Sequence, residues 1–195
     1  MVMSEKRPRG TRENFVIYAA GNCVRYREKA IGRLSEIGVV HADGRCQGID
    51  GNRTNIVKTN SGVSIGNWWA NVDLYSKYRF CFVMEHVNQR GYITEKILMA
   101  FIGGCIPIYY GSELIFDIIN EKAFVYYNIN DPQPALDLVK NLEMNETLYE
   151  EVMNEPIAAH GNETIQKYFS FNDAVGNGYL KKRYRKKLGL DHFEP

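Results

Sequence analysis

Short, almost uninterrupted apolar runs recur along this chain with segments of helical period between them, the pattern of a sheet whose parallel strands are covered on both faces. The runs are Phe15 to Ala20, Arg79 to Met84, Cys105 to Tyr110 and Ala123 to Tyr127, and Val39-Val40 opens a further strand. Between them, Arg25 to Ile37 repeats Ala30, Ile31, Leu34 and Ile37 at helical spacing and stops at Gly38. A second helix is predicted from about Ile93 to Gly103, and a short one near Glu113 to Ile119. A fourth runs from Pro132 to Leu142, with a stripe of Ala135, Leu138, Val139 and Leu142. Pro107 within its strand implies an edge position or a bulge. Residues 42 to 67 are rich in Gly, Asn, Asp and Ser and read as one long loop. Beyond Leu142 the pattern is helical and increasingly polar. The alternation predicts an α/β, doubly wound parallel sheet over residues 13–157, a flexible segment over 1–12 and a helical basic tail over 158–195.

At 195 residues, 45% hydrophobic and 24% charged, the chain is large enough to bury an independent core. A formal charge of +1 creates no strong field that selects nucleic acid or membrane. Six cations crowd between Lys181 and Lys187, leaving a formal −5 on the rest. That run reads as a solvated helix face, with an acidic membrane surface or nucleic acid as the lesser alternative. Cys23, Cys46, Cys81 and Cys105 form no CxxC pair and lack histidines at zinc spacing, so no structural metal is expected. Cysteines so spread are expected to stay free thiols, with Cys81 and Cys105 acting as small core hydrophobes. Asn52, Asn145 and Asn162 head glycosylation sequons, which have meaning only in a secretory lumen. No apolar stretch approaches the ~20 residues of a membrane helix, and the polar N-terminus lacks signal-peptide character, so a soluble chain is expected. Trp68-Trp69 fits a core position, with a sugar-stacking platform as the alternative, and His160 and His192 read as solvated.

Ligands of open parallel sheets lie beyond the carboxyl ends of the strands, and two such ends carry unusual polar chemistry. One is Asn22 to Arg27; the other is Glu85 to Lys96, leading from a buried strand into a helix. A helix start presents unpaired N–H groups and a positive dipole end, which suit phosphate. Lys96 adds a point charge, Tyr92 a hydroxyl donor, Glu95 an acceptor for a ribose diol, and Arg27 a planar fork. The set reads as a diphosphate-nucleoside site without a metal, provided that the sheet order brings Arg27, Tyr92 and Lys96 together. The plainer alternative is a solvated first turn at Glu95 and Lys96, a packed Tyr92, and an Arg27 paired with Glu28 or Glu36. Neither GxGxxG after the first strand nor a Walker-A sequence is present, which argues against dehydrogenases and P-loop enzymes.

Three blocks in unbroken order carry a family resemblance: Tyr78 to His86, then Gly91-Tyr92-Ile93-Thr94-Glu95-Lys96, then Gly103 to Gly111. They resemble the hallmark of the α-1,3-fucosyltransferases, glycosyltransferase family 10. Upstream, Asn22-Cys23, Arg27, Leu34 and Gly44-Arg45-Cys46 are similar to the family's S-N-C…R…L…G-x-C segment. The resemblance implies the GDP-fucose-binding, Rossmann-like half of a GT-B fold, with a C-terminal helical extension. It implies donor-binding roles for Arg27, Glu85, His86, Tyr92, Thr94, Glu95 and Lys96, no metal cofactor, and GDP-fucose as donor substrate. By resemblance the reaction inverts the fucose anomeric centre as an acceptor hydroxyl, commonly on GlcNAc of a glycan, attacks. His86 stands where the family has Asn and brings a charge that varies near neutral pH. The family's general base lies in an N-terminal acceptor domain that is not expected here, so no catalytic residue is assigned and a partner chain would have to supply it. The alternatives are a non-catalytic nucleotide-sugar-binding module and a GT-B transferase that uses another nucleotide sugar.

Overall fold

A computed structural model of the chain describes residues 7–61 and 70–190. The elements are β1 (Asn14–Ala20), α1 (Arg25–Leu34), β2 (Val40–Gly44), β3 (Ile56–Thr59), α2 (Asn71–Tyr75), β4 (Tyr78–Phe82), α3 (Lys96–Gly103), β5 (Ile106–Tyr109) and β6 (Val125–Tyr126), followed by α4 (Gln133–Met144), α5 (Glu146–Asn154), α6 (Asn162–Tyr168) and α7 (Tyr179–Lys187). All six strands pair in parallel, in the order β3-β2-β1-β4-β5-β6. The chain winds outward from β1 to one edge, returns to the centre at β4, and winds outward to the other. A crevice therefore opens between the carboxyl ends of β1 and β4, the switch point of a doubly wound sheet.

Period-2 alternation assigns the two faces. Val16, Tyr18, Phe80, Phe82, Ile106 and Ile108 meet α1, α4 and α5, with Phe80 edge-on to both Phe15 and Tyr149. Ile17, Cys81, Val83 and Tyr109 meet α2, α3 and α6 on the other face. Each large side chain buried this completely contributes roughly 1.5–3 kcal/mol.

Several local expectations change. The long loop holds the end of β2, a short 3-10 turn at Arg53–Asn55 and the edge strand β3. Pro107 is neither at an edge nor in a bulge, since β5 lies between β4 and β6. Val83 N–H donates to Ile108 and Tyr127 N–H to Tyr109, so alternation turns Pro107 toward β6, where pairing begins only at Ile108–Val125. Its missing N–H costs the ladder nothing. On α4 the buried stripe is Ala135, Leu136, Val139 and Leu142, while Leu138 is exposed. Within the segment read as flexible, Arg7 is buried, donates to the Ala123 carbonyl at 3.0 Å and covers the Phe101 ring, and Arg9 and Arg12 pair with Glu150 on α5. Trp68, Trp69 and His192 lie outside the described residues.

The free-thiol expectation is wrong. Cys23 bonds Cys46, and Cys81 bonds Cys105, with Cα separations of 5.1 and 5.9 Å. Each bond joins neighbouring strands: the first ties the segments leaving β1 and β2, and the second ties β4 to the residue preceding β5. Strand adjacency, which cysteine spacing does not encode, makes the pairing possible.

Candidate functional site

The turn from β4 into α3 is organised around one buried carboxylate. Glu85 has no exposed surface, and its N–H donates to the Tyr110 carbonyl at 2.8 Å. Its side chain accepts from the Thr94 N–H and hydroxyl, both at 2.8 Å, and from Lys96 Nζ at 3.0 Å. This carboxylate anchors the residues just ahead of α3, while Glu95 in the N-cap position caps nothing with its own side chain. The helix starts at Lys96 and not at Ile93. At the other end, Gly104 turns into the left-handed region (φ 80°) and closes α3. Gly111 leaves the room that Glu85 needs, since a Cβ there would come within 2.8 Å of Glu85 Cγ. Burial, with the neighbouring Glu85 charge second, pushes the Tyr109 phenol well above its ordinary range.

Lys96 divides its ammonium between Glu85 and the Thr94 hydroxyl, the latter at 2.9 Å, and remains about a third exposed. Two of its three donors are committed and one is available. His86 is exposed and stands edge-on to the half-buried Tyr92, with ring centroids 5.2 Å apart and Nδ1 3.4 Å from the Tyr92 hydroxyl. Glu95 is exposed and lines a mostly apolar cavity of about 430 Å³ with Thr94, Leu98, Leu114 and Phe169. Its charge adds to burial in raising the Tyr75 phenol.

On the β1 side, Arg27 is 7% exposed and its Nε has no hydrogen-bond partner. Neither Glu28 nor Glu36 takes it: Glu36 lies near Arg33, and the buried Glu28 accepts from Tyr18, Gln47 N–H and Gly48 N–H. Burial raises the Tyr26 phenol, and the nearby Arg27 charge offsets part of that rise. The Tyr26 hydroxyl donates to the Glu85 carbonyl, so one residue spans the crevice between the two turns. Arg27 on α1, Tyr92 in the turn ahead of α3 and Lys96 at the start of α3 thus follow the adjacent strands β1 and β4, and the Tyr26–Glu85 hydrogen bond links the two segments. No hydrogen bond or ion pair joins Arg27 directly to the other two.

Glu85 lies buried and accepts from both Thr94 and Lys96. Tyr26, Glu28 and Gly111 were missed as parts of the site. Tyr26 falls within the polar strand-end segment that drew attention to Arg27, and that position was its only signal. Among the described residues, Cys23, Glu28 and Cys46 have potential ligand atoms close together, but the two sulfurs are bonded to each other.

The family model described as glycosyltransferase family 10 (fucosyltransferase), C-terminal part, matches residues 10–154. The chain belongs to glycosyltransferase family 10. It is 35% identical over 97 residues to a putative fucosyltransferase of Acanthamoeba polyphaga mimivirus, covering 49% of this chain and 16% of that protein. It is 32% identical over 84 residues to an α-(1,3)-fucosyltransferase of Helicobacter pylori, covering 43% of this chain and 18% of the relative. A crystal structure of an α1,3-fucosyltransferase with GDP matches 75% of the chain and 39% of its own at a TM-score of 0.58 and 26% identity. The chain therefore spans under a fifth of the curated relatives' length in these alignments. The parallel sheet corresponds to one Rossmann-like part of these family 10 enzymes, which are GT-B proteins.

Proposed function

We propose that residues 13–157 form the donor domain of a fucosyltransferase, holding GDP-fucose at the β1–β4 crevice and acting with an acceptor-binding domain. Arg27 and the free donor of Lys96 neutralise the diphosphate, Tyr92 and the Asn-replacing His86 bond its oxygens, and Glu95 takes the ribose hydroxyls. Thr94 and Glu85 hold Lys96 in place from below. The observation that carries this reading is Arg27: the residue is buried, its Nε has no acceptor among the described residues, and an anion in the crevice supplies one.

In the reaction, an acceptor hydroxyl of a glycan, GlcNAc-containing in the reading favoured here, attacks fucose C1 from the face opposite the diphosphate. The new C1–O bond forms as the bond to the β-phosphate oxygen breaks, which inverts the anomeric centre. The hydroxyl proton passes to a general base of the acceptor-binding domain, and GDP leaves with its charge balanced by fixed cations, with no metal ion needed. Titration calorimetry with GDP-fucose, GDP, and UDP- and CMP-sugars tests the donor assignment. Guanine-selective heat is expected, and equal affinity across the panel or no heat at all would sink it. GDP release with N-acetyllactosamine acceptors, once the acceptor domain is supplied, separates the transferase from a binding module.

A further inference from the structure

His86 and Tyr92 form a pair at the rim whose hydrogen bond can run in either direction. Their rings meet edge-on with an interplanar angle of 83°, and the Tyr92 hydroxyl lies 3.4 Å from His86 Nδ1. At that length the bond is weak, so little free energy is needed to reverse it. We propose that His86 is a pH-dependent positioning residue for the Tyr92 hydroxyl, so that the nucleotide-sugar diphosphate binds with uptake of a proton; this rests on the donor site proposed above.

The physical basis is that a phenol has one hydrogen to give. When Nδ1 is bare it accepts that hydrogen, and the phenolic oxygen shows only lone pairs to the crevice, which repels a phosphate oxygen. When Nδ1 carries a proton it donates to the phenolic oxygen instead. The hydroxyl hydrogen is then released toward the diphosphate, and the imidazolium adds a positive charge at the same place. Binding therefore selects the Nδ1-protonated ring and favours its charged form.

The surroundings leave His86 free to do this. The neighbouring Glu85 carboxylate is turned inward onto Thr94 and Lys96. Arg90 on the same loop, Glu95 at the start of α3, and Tyr110 and Glu113 beyond β5 make no ion pair or hydrogen bond with the His86 ring. His86 is exposed, so its replacement leaves the core intact.

The test is calorimetry with intact GDP-fucose in buffers of different ionisation enthalpy, across pH 5.5 to 8.5. GDP-fucose is the probe because GDP's terminal phosphate titrates near pH 6, whereas the diester does not. Affinity is expected to fall by about tenfold from pH 5.5 to 8.5. Net proton uptake should be greatest near neutrality. In His86→Asn both the slope and the proton uptake should vanish, and in Tyr92→Phe the uptake should shrink although His86 remains. GDP-fucose bound with the same slope and uptake in His86→Asn, or with undiminished uptake in Tyr92→Phe, overturns the coupling and leaves the donor site standing. Absence of binding at every pH overturns the donor site, and the coupling with it.

Discussion

On the β4 side of the crevice Lys96 already rests on buried Glu85, whereas on the β1 side Arg27 is buried and its Nε has no acceptor among the described residues. The first turn is electrostatically complete before any ligand arrives, and its cation is aimed rather than unbalanced. The second is incomplete, and it is held in that state from outside the crevice. Cys23–Cys46 fastens the residues just ahead of α1 to the segment after β2, and Glu28 fastens α1 to Gln47 and Gly48. An anion entering between them gains most from the side that has no counter-charge of its own, and the other side contributes direction.

The sharpest way to break this comparison is Arg27→Met. Losing the uncompensated guanidinium should cost about 4 kcal/mol of GDP-fucose affinity, read by calorimetry, while the melting temperature holds or rises because a buried unpaired charge has gone. A loss no greater than that of Lys96→Ala would reverse the roles assigned to the two sides. Next in size, Cys23→Ser with Cys46→Ser should lower stability by about 3 kcal/mol, from the entropy released by opening a loop of this length. The exposed Cys23 also predicts that mild reductant opens this bond first, while the fully buried Cys81–Cys105 survives until unfolding. Alkylation followed by peptide mass analysis distinguishes the two bonds, and simultaneous cleavage would contradict the contrast.

A smaller effect, about 2 kcal/mol, is expected for Glu85→Gln in denaturant unfolding, since an amide keeps the shape but cannot balance Lys96 or accept as fully from Thr94. Donor affinity should fall less than in Arg27→Met, because Glu85 acts through Lys96. The smallest effects should come from Lys96→Ala and Glu95→Ala, each about 1 kcal/mol of affinity, as both side chains are partly solvated. Equal losses for all four single charge variants would indicate that the two turns contribute alike.

Much of this arrangement was legible in the chain itself. The apolar runs and helical periods identified strands and helices wherever side chains face a continuous core, as in β1, α1, β4 and α4. The Tyr92-to-Lys96 block carried the family assignment without any coordinates. Errors arose where one residue's conformation depends on a distant partner. The turn ahead of α3 is held by Glu85, nine residues before Thr94 and just beyond the end of β4, and the helix begins only at Lys96. Pro107 sits inside the sheet because its neighbour β6 is only two residues long. Arg7, Arg9 and Arg12 are pinned by Ala123 and Glu150, more than a hundred residues away along the chain.

By itself, then, the sequence determined the α/β class, the location of the polar turns at two strand ends, and membership of the fucosyltransferase family. These follow from local periodicity and local chemistry. Only the tertiary structure decided that β1 and β4 are neighbours, that the four cysteines pair, and that Glu85 is spent on Lys96 while Arg27 is not. Strand order and charge pairing depend on which distant segments pack together, and a buried charge acquires its meaning only from what the fold places beside it.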